Sequence, residues 1–378
     1  MLTRYRLIPA LSAALLAVGG CGSSGPVVTP AELVDFKPLA SLKVLWQGSV
    51  ASAGRNTYFP RVSGSVVYAV GADGAVTGFD VSSGASQLQI DAGERVTGGV
   101  GVGGGLVLLG TRKGEVLAFE TTGKALWKAQ LSSEVLAQPA AEDGIVVVRT
   151  ADGRIHGLDA ATGKSRWLYQ QRMPSLSVRS SAGVVLERGG VFAGFPGGRL
   201  VALALPNGNI GWEGIVALPR GATELERVAD ITSLPAIDFP RICAVAFQGR
   251  VACFDVQRGA LLWARDASSI AGVALDARYL YYTDDRSAVL ALDKTNGASV
   301  WRQDKLTDRS VSAPLALGRY VVVGDFQGYV HLLSVEDGSF AARIATDGKA
   351  ISAPPIALSP SSFLVQTRDG GVFAITIQ

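Results

Sequence analysis

The stretch from Asp152 to Trp167, DGRIHGLDAATGKSRW, sets His156 between two aspartates, Asp152 and Asp159. An imidazole and carboxylates at this spacing could ligate a divalent metal or move a proton. A second candidate lies in RICAVAFQGRVACFD, where Cys243 and Cys253 flank a Gln248-Gly249 turn. Two thiols ten residues apart can form a disulfide in an oxidising compartment, but by themselves they make a poor zinc site. What either group can do depends on the elements that carry it.

Those elements repeat. Rows similar to the His156 stretch start at Val66, Val107, Val146, Val191, Ile242, Leu280, Val321 and Phe363, the last cut short by the end of the sequence. Each row reads as strand, turn, strand, turn, strand, with glycine admitting positive φ at the turns. The second-turn glycines are Gly84, Gly123, Gly163, Gly208, Gly259, Gly297 and Gly338, spaced 39, 40, 45, 51, 38 and 41 residues apart. Trp127, Trp167, Trp212, Trp263 and Trp301 each stand four residues after one of them, and Leu88 and Ala342 hold that position in the other two rows. A further strand precedes each row, as in FPRVSG and SAPLALG. Four antiparallel strands in about 42 residues have the size of a propeller blade.

The sixth tryptophan, Trp46, lies before the first row, and the last row lacks its tryptophan-bearing strand. The segment around Trp46 can supply that strand and join the two ends of the chain in one sheet, removing two exposed edges. Residues 43–378 allow 42 residues for each of eight blades. The expectation is an all-β, eight-bladed β-propeller over residues 41–378, with Trp46, Trp127, Trp167, Trp212, Trp263 and Trp301 packing blade on blade.

The repeat removes the first candidate. His156 is the third residue after Gly153 and His331 the third after Gly328, and the same register holds Thr77 and Leu117. Two side chains separated by whole blades cannot share a metal. Asp80, Asp159, Asp255 and Asp293 are expected to cap the second turn. A two-residue Gln248-Gly249 loop would pair Ala244 with Cys253 and set Cys243 on the opposite face, so buried free thiols are expected over a disulfide. No catalytic residue, cofactor site or metal site is expected.

The N-terminus has its own chemistry. Arg4 and Arg6 precede an apolar run from Leu7 to Val18, too short for an ordinary spanning helix. LAVGGC, ending at Cys21, resembles a lipobox, in which the cysteine thiol takes a diacylglyceryl group. Residues 1–20 are expected to be a lipoprotein signal peptide, and residues 21–40 an acylated cysteine and flexible tether. Removing Arg4 and Arg6 takes the formal net charge from +3 to about +1, which is not the strongly basic balance of a dedicated nucleic-acid binder.

Two connections depart from the repeat: QQRMPSLSVRSSAG between the third and fourth rows, and ALPRGATELERVADITSLPAID between the fourth and fifth. Departures of this kind map to loops, where repeat folds bind partners. The first carries Leu176, Val178 and Arg179 in a short alternating segment.

With the lipobox, the closing strand, the eight blades and these two segments, the chain resembles the BamB (YfgL) family of outer-membrane assembly lipoproteins. MPSLSVRS and TELERVADITSLP carry the resemblance more specifically than the repeat does, because pyrroloquinoline-quinone dehydrogenases share the repeat. The resemblance implies a non-enzymatic scaffold at the outer membrane, anchored through Cys21 and facing the periplasm. It implies binding to the periplasmic POTRA domains of the central barrel subunit BamA, and leaves contact with unfolded outer-membrane proteins open. It carries partner binding to Leu176, Val178, Arg179 and Asp230. The family's second acid falls on Thr232 here. A quinoprotein dehydrogenase or another envelope scaffold are the alternative readings; the former lacks support from any adjacent cysteine pair.

Overall fold

The structure is a computed structural model that describes residues 29–378. The signal-peptide expectation and Cys21 lie outside the described residues. Among those residues the strands form eight four-stranded antiparallel sheets. Seven sheets each take four consecutive strands, as in Ala140–Glu142, Ile145–Arg149, Arg154–Asp159 and Ser165–Gln170 of blade three. The eighth combines Ile356–Ser359, Ser362–Gln366 and Gly371–Ile377 with the early strand Leu42–Ser49. That strand runs antiparallel to Gly371–Ile377, with Lys43 opposite Thr376 and Trp46 opposite Ala374. The ring therefore closes by strand pairing, as expected.

The tryptophans explain how the blades hold together. Each lies on the outermost strand of one blade, and its indole N–H donates to a carbonyl in the next. The acceptors are Val81, Ala160, Leu205, Val256, Lys294 and Val335, at 2.8–2.9 Å. Every acceptor stands three residues before a second-turn glycine. The indole lies on that glycine: a Cβ at Gly84 would come within 2.6 Å of the Trp46 ring, and one at Gly259 within 2.6 Å of Trp212. Glycine at this turn is thus required twice, by positive φ (72° at Gly84) and by the ring against its Cα.

A small residue faces each indole across its own sheet. Ala374, Ala118, Gly157, Ala202, Cys253 and Ala291 stand opposite Trp46, Trp127, Trp167, Trp212, Trp263 and Trp301. Where blade seven has Ala342 in place of tryptophan, the residue opposite is Leu332, so the bulk moves across the sheet. The core lies between blades: Trp46 and Phe79 stack at 5.8 Å beside Val67, Leu364 and Val372, joining blades eight and one.

The aspartates cap the second turns as expected. Asp80 accepts from the N–H groups of Ser82 and Ser83, and Asp255 from those of Gln257 and Arg258. Hydrogen bonds from Ser82 and Ser83 pull the Asp80 carboxyl down to about 2, and those from Arg258 do the same at Asp255.

The expectation of free thiols is corrected: Cys243 and Cys253 form a disulfide. The turn is one residue longer than Gln248-Gly249 suggests. The Ala246 N–H donates to the Arg250 carbonyl at 2.9 Å, and Gln248 takes φ 49°, leaving Phe247, Gln248 and Gly249 in the loop. The added residue shifts the register by one, so Cys243 faces Cys253 with Cα atoms 4.1 Å apart. Replacing both cysteines by alanine is expected to destabilise the domain by about 2 kcal/mol, from the small loop that the bond closes. Guanidinium unfolding checks this; an unchanged midpoint would count against it.

The flexible tether expected over residues 21–40 meets, in its described part, a segment held along its length. The Ala31 N–H donates to the Thr307 carbonyl and Arg309 donates to the Ala31 carbonyl, both at 2.9 Å. Leu33, Val34 and Phe36 pack on the core between blades six and seven, with Phe36 stacked on Phe340 at 5.3 Å. The Leu39 and Ala40 N–H groups donate to the Ala341 carbonyl. Residues 31–40 therefore form a strap along the edge of blade seven.

Four antiparallel strands per blade fix where each connection emerges. The second-to-third strand turns and the blade-to-blade connections share one face of the ring. Both departures from the repeat, and Thr307 with the start of the strap, are on that face.

Candidate interaction face

The histidines settle first. His156 is buried in blade three, its Nε2 3.3 Å from Ser132 Oγ and 3.4 Å from Thr150 Oγ1. Burial holds its pKa below the ordinary value, partly opposed by Asp152. His331 is in blade seven, between Asp325 at 3.1 Å and Arg343 at 3.2 Å. The two do not meet, and among the described residues no three His, Cys, Asp or Glu side chains gather as a metal would need.

The two departures do meet. Residues 171–184 and 216–235 contain no strand, so no sheet ladder joins them to each other. Side chains tie them together instead. Asp230 is 1% exposed; its Oδ2 accepts from the Val178 N–H at 2.7 Å and its Oδ1 from the Gly197 N–H at 3.0 Å. Ser180 Oγ donates to the Thr232 carbonyl at 2.8 Å, and Thr232 Oγ1 donates to the Ile270 carbonyl at 3.2 Å. Ser175 Oγ donates to Glu224 at 2.8 Å, joining the segments that bear Leu176 and Leu225. These two leucines are 44% and 68% exposed.

Arg149 supports the face from beneath. Its Nη1 donates to the Ala182 carbonyl at 3.1 Å, and its guanidinium lies 4.7 Å from the Phe195 centroid. Burial brings its pKa down to about 10, partly opposed by the charge of Asp230. Above it is a cleft of about 230 Å³, lined by Glu134, Arg149, Val178, Arg179 and Asp230 among others.

The site residues carried by the resemblance therefore divide. Leu176 and Arg179 point outward and Val178 is half-buried between them. Asp230 faces inward and fixes the main chain at Val178, and the Thr232 side chain is bonded to Ile270, in the connection between blades five and six. A buried carboxylate with both oxygens on main-chain N–H groups positions its neighbours. Glu134, in the connection between blades two and three, and Arg149, in an ordinary row of the repeat, are the participants that the sequence did not reveal.

The family model described as "Outer membrane protein assembly factor BamB" matches residues 82–303 and 287–378. The chain belongs to the BamB family. A relative from Nitrosomonas eutropha with that name is 45% identical over 93% of this chain and 86% of its own. The crystal structure of BamB from Moraxella catarrhalis superposes with a TM-score of 0.82 at 27% identity, covering 89% of this chain and all of the other. A quinohemoprotein alcohol dehydrogenase from Pseudomonas putida reaches a TM-score of 0.70 at 13% identity over 89% of this chain and 76% of its own, a likeness of fold alone. Membership of the family places the chain with outer-membrane proteins.

Proposed function

We propose that this chain is a non-enzymatic scaffold lipoprotein of outer-membrane protein assembly, held through Cys21 and facing the periplasm, which binds the POTRA region of the barrel subunit BamA. The relatives' shared name supports the assembly role. The observation that carries the binding reading is the cross-tied face: two strandless connections, locked to each other through Asp230 and the Ser180 to Thr232 bond, leave Leu176 and Arg179 outward. An apolar anchor beside an oriented arginine is the composition of a binding hot spot. Unfolded outer-membrane proteins are a further possible cargo of the same scaffold.

Reversing the charge of Arg179 tests this reading. Arg179→Glu is expected to weaken binding to the purified POTRA domains at least about tenfold, with the circular dichroism spectrum and unfolding midpoint retained. Calorimetric titration reads the affinity. Equal affinity in a folded variant rejects the role of this face. A pulldown from detergent-solubilised envelope with the full chain tests the complex itself.

A further inference from the structure

We propose that Glu134 is a positioning residue for Arg179, and that the acceptor to which it aims this arginine is a main-chain carbonyl of the partner. The inference rests on the reading of residues 171–184 as the docking segment. Both terminal nitrogens of Arg179 are engaged by Glu134, Nη1 to Oε1 at 2.9 Å and Nη2 to Oε2 at 3.1 Å. A guanidinium gripped end-on keeps its Nε–H and the neighbouring Nη2 hydrogen, which form a second fork directed sideways. That fork is what a partner can use.

The acid is the fixed member of the pair. Its side chain is 23% exposed, against 59% for Arg179. The Glu134 carbonyl accepts from the Ala151 N–H at 3.0 Å, and the next residue, Val135, is fully buried with its N–H on the Thr111 carbonyl at 3.0 Å. Arg179, in contrast, sits on a stretch without strand pairing. A surface ion pair of this kind contributes little to folding. Its consequence is to order a long side chain before the partner arrives, which removes that cost from binding.

The charges select the acceptor. The cleft beside the pair holds Arg149 and Arg179 and also Glu134 and Asp230, two of each sign. Arg112 comes no closer to Glu134 than 3.9 Å and extends into solvent. The cleft's cations are already balanced by its acids, so an incoming carboxylate would gain no net charge attraction, whereas a neutral carbonyl needs only the free donors. A carbonyl on the edge of a partner's sheet has this chemistry.

The test titrates POTRA domains of the barrel subunit against the full chain in detergent. Glu134→Gln and Glu134→Ala are each expected to weaken binding about three- to tenfold. In an Arg179→Met background the same changes should have no further effect, which separates positioning from a direct contact of Glu134. Unchanged or tighter binding by Glu134→Gln would overturn the proposal, because a mere competitor for Arg179 would then have been removed. The loss caused by Arg179→Met should be equal at about 0.05 M and about 0.5 M salt; a loss that shrinks with salt would point to a carboxylate and overturn the choice of acceptor. Absence of binding by the wild type would overturn the docking reading itself and this inference with it. Normal binding that Arg179→Met weakens and Glu134→Gln does not would overturn this inference alone.

Discussion

Deleting residues 43–50 is expected to lower the thermal unfolding midpoint by more than about 10 °C. The segment supplies the fourth strand of blade eight and Trp46. That indole stacks on Phe79 and lies on Gly84, and its N–H is bonded to Val81 at 2.8 Å. Loss of a buried tryptophan costs about 3–5 kcal/mol. The deletion also removes the ladder from Lys43 to Ser49 and exposes the edge of Gly371–Ile377. Trp46→Ala, which keeps the ladder, should therefore have the smaller effect. Circular dichroism melting of both variants checks the order. A deletion variant that melts with the wild type would show that the ring does not depend on its closing strand.

Asp230→Ala is expected to have the second large effect, on binding and stability together. It leaves the part-buried N–H groups of Val178 and Gly197 without their acceptor, at about 1 kcal/mol each, because water can reach such donors. The main chain at Val178 loses its fixed position, and with it the placement of Leu176 and Arg179. Affinity for the POTRA domains should fall more than about tenfold and the unfolding midpoint should drop. Asp230→Asn keeps one acceptor oxygen and should fall between the variant and the wild type. An Asp230→Ala protein that binds normally would show that the segment is held by other contacts.

The blade count was legible because its signal is local and periodic. Five blades write a glycine and a tryptophan four residues apart, two more keep the glycine, and the repeated rows average out the irregular connections. The disulfide was misread through one residue. Gln248 accepts the left-handed conformation that glycine usually holds, and a single added loop residue reverses which face Cys243 occupies. Residues 31–40 were illegible for a different reason. Leu33, Val34 and Phe36 look like scattered apolar residues in a polar stretch until blade seven is built, and their partners lie some three hundred residues away. Asp230 and Glu134 share that difficulty. Their contacts span 52 and 45 residues between connections that no repeat predicts. Resemblance pointed to a segment, but only the assembled ring separates the side chains that face outward from the one that braces them.

The strap has a mechanical consequence. Ala31 is fixed beside Thr307, at the rim between blades six and seven. Leu176 and Arg179 stand on the same face, at the rim between blades three and four. These points lie three blades, or three eighths of a turn, apart. A pull on the chain upstream of Ala31 and a load on Arg179 would therefore act at the two ends of a chord across the ring. The ring would resist tilting along that chord and rock most easily about it, as a plate does on an off-centre axle, leaving the opposite face unloaded.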